Sequence, residues 1–337
     1  MDPLSQGVLG GSASLSFSKK SHIAIAALCG ILAGMSPDLD ILIKSDTDPL
    51  LYLEYHRQFT HSLIFIPLGG LICAGVFYFT FSRRLGFLQT YIYSVAGYAT
   101  HALLDSCTTY GTQLFWPFSN MRIAWHNISI IDPLFTIPIL LFVALGVFKK
   151  SRMFGMVAIA WAVGYLLLGA WQSDRARYYG EQLAQSRGHQ PVRLEAKPSF
   201  GNLLVWKVIY EANQHYYVDA VRVGLTSSFY EGQVVPKLSV ERDLPWLNEG
   251  SQQAKDLERF RWFSNDYLAL GSGRQNYVID MRYSLLPNEV SGMWGIQLNP
   301  QKDDQQHVDF VWSREARQEK QQTLLKMIFG RQSSTDL

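Results

Sequence analysis

The first half of this 337-residue chain has little charge. Residues 1–173 carry ten Lys/Arg and eight Asp/Glu, whereas residues 174–337 carry twenty of each. Cysteine is scarce as well. Cys29, Cys73 and Cys107 all lie in the apolar half at no metal-motif spacing, and the polar half has none, so no disulfide framework holds it. The net charge of +2 is spread out with no basic arm or stripe, which argues against nucleic acid as a partner. No basic residue precedes the stretch at 3–18, so it does not read as a cleaved signal. Internal repeats and low-complexity tracts are missing too.

What is there instead is apolar sequence. Uncharged runs occupy 62–82, 85–104, 133–148 and 153–173, with a weaker one at 21–37 and a short Ser/Gly-rich one at 3–18. A spanning helix needs about 20 such residues. The reading is a membrane α-helical bundle of about five to six transmembrane segments over 1–173, followed by a soluble α+β domain over 174–337. Small residues in segment 3–18 suit close helix packing. With six segments, Lys19, Lys20, Arg83, Arg84, Lys149, Lys150 and Arg152 all fall on one side, which the positive-inside rule makes cytoplasmic. All eight carboxylates of the apolar half, and the soluble domain, then face the periplasmic or extracellular side of a bacterial inner membrane.

In the polar half, residues 174–190 read as a helix continuing out of the last span. Runs at 203–210 and 216–223, split by Asn213-Gln214, signal a hairpin. A second pair is expected at 266–271 and 276–283, further strands near 293–298 and 307–312, and helices over 250–262 and 314–329. His189, His215 and His307 are scattered and read as surface or strand residues.

Ionisable groups at the ends of apolar segments are costly, and are functional-site candidates by default. Three clusters stand there: Pro37-Asp38-Leu39-Asp40, His56 to Ser62, and His101 to Asp105. His101 and Asp105 are four apart, so on a helix they share a face. Asp38 and Asp40 follow Pro37, and an extended entry would turn both to one side. His56 and His61 suit a loop entering the next helix, with Thr60 or Ser62 as its N-cap. Arg57 lies between them and is suited to a phosphate or carboxylate oxygen. Asp132 sits where an apolar helix begins. Gln6 is a weaker candidate, His126 a peripheral one, and Thr108, Thr109, Tyr110 and Trp116 could form a pocket wall.

These runs carry a resemblance. Asp2–Gly10, PDLD at 37–40, HRQFTHS at 56–62, HALLDSCTTYGTQLFWPFS at 101–119 and IIDP at 130–133 are similar to the bacterial membrane-bound metal-dependent hydrolase family, over about residues 1–170. The His-x-x-x-Asp spacing also looks like one ligand pair of zinc phospholipase C, a shorter and phospholipase-like similarity. The resemblance implies a membrane hydrolase with a bound metal and gives residues 174–337 no role.

The functional expectation is hydrolysis by metal-activated water of a phosphoester or other ester bond in a membrane lipid or lipid-linked substrate. Asp38, Asp40, His56, His61, His101 and Asp105 are the expected ligands of one or two divalent ions, zinc first and manganese or iron as alternatives. Arg57, Asp38 and Asp132 are the expected catalytic groups. The alternative is a non-catalytic metal-binding transporter or sensor. Transport calls for ionisable residues deeper in the spans, and segments 62–82 and 133–148 have none.

Overall fold

A computed structural model describes residues 1–83, 85–313 and 317–331. Arg84, one of the seven basic residues used for topology, and the first residues of the helix expected over 314–329 lie outside the described residues. The chain divides into two compact units. The first holds residues 1–43, 55–171 and 200–202, and the second holds 44–54, 172–199 and 203–337.

The helices of the apolar half are α1 (Pro3–Phe17), α2 (Ile23–Met35), α3 (Leu51–Tyr55), α4 (Ile66–Thr80), α5 (Phe87–Ser106), α6 (Pro133–Lys149) and α7 (Met153–Ser186). Three stretches are long and apolar enough to cross a membrane, Ile23–Leu42, Leu63–Thr80 and Met153–Ser186, and α6 is a shorter apolar helix. The expected five to six spans are therefore corrected to three candidates among the described residues. Two physical facts separate the rest. Helix α1 is 15 residues long and mostly buried, down to Ser5, Gln6, Ser12 and Ser14. Helix α5 has the length, but buries Thr90, Ser94, His101 and Asp105 against its neighbours.

Glycine sets how closely α1, α2 and α5 approach. A Cβ on Gly10 would lie 2.4 Å from the Gly30 carbonyl oxygen, and one on Gly97 would lie 2.4 Å from the same oxygen. Only glycine lets three backbones meet this tightly. Each glycine is one helical turn from a polar residue or carbonyl used below: Gln6, Gly34 and His101. Helix α1 is capped by Asp2, which accepts from the Ser5 amide, with Pro3 in the first turn. The Asp2 amide donates to the Ile130 carbonyl, and Ser5 Oγ meets Thr136 Oγ1, so the starts of α1 and α6 lie together.

The second unit contains two four-stranded antiparallel meanders. The first is β1 (Arg193–Pro198), β2 (Val205–Ala212), β3 (His215–Val223) and β4 (Ser227–Pro236). The second is β5 (Leu268–Leu270), β6 (Tyr277–Asp280), β7 (Trp294–Gln297) and β8 (Asp309–Trp312). Asn213 and Gln214 form the β2–β3 turn with φ of 52° and 59°, the left-handed pair that a two-residue hairpin demands. The sheets share a core of Ile209, Tyr216, Val218, Tyr267, Ala269, Tyr277, Ile279 and Met281. Helices α8 (Val240–Asp243), α9 (Gln252–Phe263) and α10 (Arg317–Ile328) complete the unit. Strands β1 and β4 have no counterpart in the expected elements. Glu195, Lys197 and Pro198 disguise one, and Ser227, Ser228 and Gly232 the other.

Candidate metal centre

The polar clusters meet where α2, α5 and the segment before α4 end or begin. Pro37 starts a short 3-10 helix, Ser36–Leu42, not the extended entry expected. Its tight turn separates the two carboxylates: the Asp38 side chain keeps 24% exposure while Asp40 is buried. Residues Phe59–His61 form another 3-10 turn. Helix α4 begins later, at Ile66, with no side-chain cap, so Thr60 and Ser62 are not its N-caps. Arg57 precedes that turn with φ of 66°, a left-handed conformation that is strained for a residue with a Cβ.

Four donor atoms converge: one carboxylate oxygen each from Asp38 and Asp105, and Nε2 from His61 and His101. The His61–His101 separation is 2.9 Å, and Asp38 Oδ1 lies 3.5 and 3.3 Å from the two nitrogens. Asp105 Oδ2 lies 3.3 and 3.7 Å from them. A tetrahedral ion with bonds near 2.0–2.1 Å would set its ligands about 3.3 Å apart. The observed edges scatter around that value.

Hydrogen bonds to the far nitrogens fix the tautomers. His101 Nδ1 is 2.6 Å from the Gly34 carbonyl, which can only accept, so Nδ1 carries a proton and the neutral ring has its lone pair on Nε2. Thr60 Oγ1 donates to Asp40 Oδ2 at 2.7 Å and lies 2.9 Å from His61 Nδ1. Having given its proton to Asp40, Thr60 accepts from His61 Nδ1, so the neutral His61 ring has its lone pair on Nε2. Two lone pairs and two carboxylate oxygens thus face one another within a few ångströms. Arg57 and the Met1 amino group offset the charge of Asp105, and the four-donor set fits a divalent ion.

Asp38, Asp40 and His56 form a second group of donors close enough to share an ion, as expected for these ligands, and the surrounding contacts position both groups. Asp40 is fully engaged. Its Oδ1 is 2.7 Å from His56 Nδ1, and its Oδ2 accepts from the Arg57 amide at 3.0 Å and from Thr60. Asp105 Oδ1 accepts from Gln6 Nε2 at 2.8 Å and from the Met1 amino group, while Oδ2 is shared between the cluster and Arg57. Arg57 is 3% exposed. Its Nε is 2.9 Å from Asp105 Oδ2, NH1 donates to Thr108 Oγ1 at 3.0 Å, and the guanidinium lies 4.6 Å from the Tyr110 ring centre. It faces Asp105 from inside the protein. His56 is 15% exposed and stands edge-on to Tyr110 and His61.

Asp132 stands apart from this group. Its carboxylate caps α6, accepting from the Leu134 and Phe135 amides, and takes the Tyr165 hydroxyl at 2.9 Å. The expected catalytic Asp132 is therefore corrected to a helix cap: an acid just before Pro133 does at this helix start what N-caps do generally. His126 lies in the loop with Nδ1 3.4 Å from Thr109 Oγ1. Sequence reasoning missed the Gly34 carbonyl and the Thr60 relay. A backbone acceptor leaves no residue signature, and Thr60 reads equally well as a cap.

The second unit holds another acid–His group, Asp48, Asp256 and His307. Arg259 spans it, at 3.0 and 2.8 Å from the Asp48 oxygens and 2.9 Å from Asp256. Those carboxylates already have their counter-cation.

Apolar helices around a buried His/Asp cluster define an integral membrane protein with a candidate metal centre. The family model for the YdjM inner membrane protein matches residues 1–176, and the chain belongs to that family. Membership places it in a bacterial inner membrane. Among curated relatives, it is 30% identical over 128 residues to the uncharacterized protein YfhP of Bacillus subtilis (strain 168), covering 37% of this chain and 38% of that protein. It is 33% identical over 105 residues to the inner membrane protein YbcI of Escherichia coli (strain K12), covering 30% of this chain and 60% of that protein. The chain thus matches less than two thirds of either relative's length. No solved structure matches it. The family and YbcI are described by location and none of the three by an activity, which is coarser than the hydrolase family expected from the motifs.

Proposed function

We propose that the chain is a membrane-bound metal-dependent hydrolase acting on a phosphoester or other ester bond of an amphiphilic lipid or lipid-linked substrate. The observation that carries this reading is the convergence of His61 Nε2, His101 Nε2, Asp38 and Asp105, with both histidine tautomers fixed by their outer hydrogen bonds. A divalent ion held there, zinc by preference for mixed His and carboxylate donors, would lower the pKa of a water toward neutrality and polarise an ester oxygen. Asp38 keeps part of its side chain exposed and marks the open side. Arg57 positions Asp105 and offsets its charge. His56 is backed by Asp40 and reaches the rim, so it is the group that takes or gives the proton of the leaving oxygen. A single ion is favoured, since a second one among Asp38, Asp40 and His56 would have to displace the His56–Asp40 hydrogen bond. Apolar helix ends beside the cluster suit a substrate with acyl chains. We further propose the extracytoplasmic side for the site and the second unit, on the basic residues grouped at the opposite helix ends.

The test is hydrolysis of a panel of phosphoester and carboxylester lipids by the full chain in nanodiscs, with and without a chelator. Chelator-sensitive turnover that His56→Gln lowers by about a hundredfold or more, with metal content unchanged, supports the assignment. Turnover indifferent to the chelator and to His56→Gln refutes it.

A further inference from the structure

Away from the His/Asp cluster, the first unit has an open pocket of about 540 Å³ lined by Lys20, Ser21, Ile23, Ala24, Val147 and Lys150. It brings together the start of α2 and the end of α6, 126 positions apart in sequence from Ile23 to Lys149. The size is that of a small-molecule site. Its lining has two characters. Ile23, Ala24 and Val147 give an apolar wall continuous with the helices, while Lys20 and Lys150 bring two positive charges and Ser21 a hydroxyl.

Those charges have no counter-ion among the described residues. Neither lysine makes an ion pair among the described residues. The sequence explains why: no Asp or Glu occurs between residues 3 and 37, or between 133 and 173. Helices α1, α2 and α6, and the apolar part of α7, therefore offer no anion anywhere along their lengths. Lys150 is held at the C-cap of α6 with φ of 50°, after Lys149 and before Arg152, so more positive charge flanks the pocket. Beyond its apolar wall, Leu28 and Leu145 are exposed on the two helices that form it. On a membrane helix such residues meet acyl chains.

We propose that this pocket binds an anionic phospholipid, with the headgroup phosphate between Lys20 and Lys150 and the acyl chains along the exposed apolar faces of α2 and α6. A basic pocket between spanning helices is the setting in which anionic headgroups are recognised. A lipid satisfies both characters of the lining at once, whereas a free phosphate would leave the apolar wall wet. The proposal is independent of the hydrolase reading, since none of these residues belongs to the His/Asp cluster.

The test uses the full chain in nanodiscs of phosphatidylcholine doped with phosphatidylglycerol, followed by native mass spectrometry of the released protein. Wild type is expected to retain phosphatidylglycerol over phosphatidylcholine. Lys20→Ala/Lys150→Ala is expected to weaken that retention by about tenfold or more, and Lys20→Arg/Lys150→Arg to restore it. Lys19→Ala/Lys149→Ala removes the same charge from positions next to the pocket and is expected to retain the lipid. Added inorganic phosphate is expected to leave the bound lipid in place. Equal loss in both alanine pairs would show diffuse surface attraction and overturn the site. Equal retention of the two lipids would overturn the headgroup assignment, and displacement by millimolar phosphate would identify a free-anion site instead. All three variants alter exposed side chains, and an unchanged melting temperature shows that folding is intact.

Discussion

At the scale of residues, the centre is organised by hydrogen bonds that decide where protons sit. Gly34 fixes one imidazole and Thr60, loaded by Asp40, fixes the other. Asp40 touches no shared point of the four-donor group, yet orients both His56 and His61. Asp40→Asn is therefore expected to lower metal affinity by about 10–100-fold while leaving the ligands in place, as read by competition with a metal chelator. Asp132→Ala is expected to leave metal affinity unchanged and to cost about 1 kcal/mol of stability through the lost cap, visible as a lower melting temperature. An affinity loss there as large as for Asp40→Asn would contradict the assignment of Asp132 as a cap. The sequence shows His61, His101, Asp38 and Asp105 because each lies at the end of an apolar run, where a charge is conspicuous. It does not show which are ligands and which are supports. Asp132 is just as conspicuous, and only its contacts, as cap of α6 and acceptor from Tyr165, separate it. Arg57 reads as a group for substrate, but its burial beneath Tyr110 turns it toward Asp105.

At the scale of elements, the centre depends on how closely α1, α2 and α5 approach. Gly10, Gly30 and Gly97 form that contact one turn from Gln6, Gly34 and His101. Gly97→Ala would drive a Cβ against the Gly30 backbone, which has no rotamer to change, and is expected to destabilise the protein by about 1–3 kcal/mol. Because His101 takes its proton direction from Gly34, the same variant is expected to weaken metal binding as well. Gly75→Ala meets nothing within 4 Å and serves as the control. Comparing melting temperature and metal content in these two variants checks the claim. The long apolar runs at 62–82 and 153–173 are legible because hydrophobicity alone defines them. Helix α1 is not, since its burial comes from small and polar residues that pack well and transfer poorly. In the second unit, the β2–β3 hairpin is legible from β-branched and aromatic runs flanking a polar turn. Strand β4 is hidden by a register shift between Val218 and Ala220 of its partner strand, where Gly232 lies against the Val218 carbonyl.

At the scale of the whole molecule, the two units differ in how they manage buried charge. The second unit buries Lys197 and Lys207 opposite each other on β1 and β2. Burial pushes Lys207 down to about 7 and Lys197 down to about 8, helped at Lys207 by the neighbouring lysine. A lysine whose folded pKa is depressed binds fewer protons folded than unfolded, once the pH exceeds the folded value. Stability of this unit is therefore expected to rise between about pH 7 and pH 9 as both lysines shed their protons in the folded state. Lys207→Met is expected to flatten that rise in pH-dependent urea unfolding, and an unchanged slope would contradict the burial argument. In the first unit, charge is gathered at one cluster whose donor set fits a divalent ion. Elemental mass spectrometry of the detergent-purified full chain, beside His61→Ala and His101→Ala, reads that ion most directly. Near-stoichiometric zinc, manganese or iron in wild type, lost in both variants while each remains folded, is the predicted result. Wild-type protein that holds no divalent metal even after reloading would contradict the metal centre and leave a self-contained network of imidazoles and carboxylates in its place.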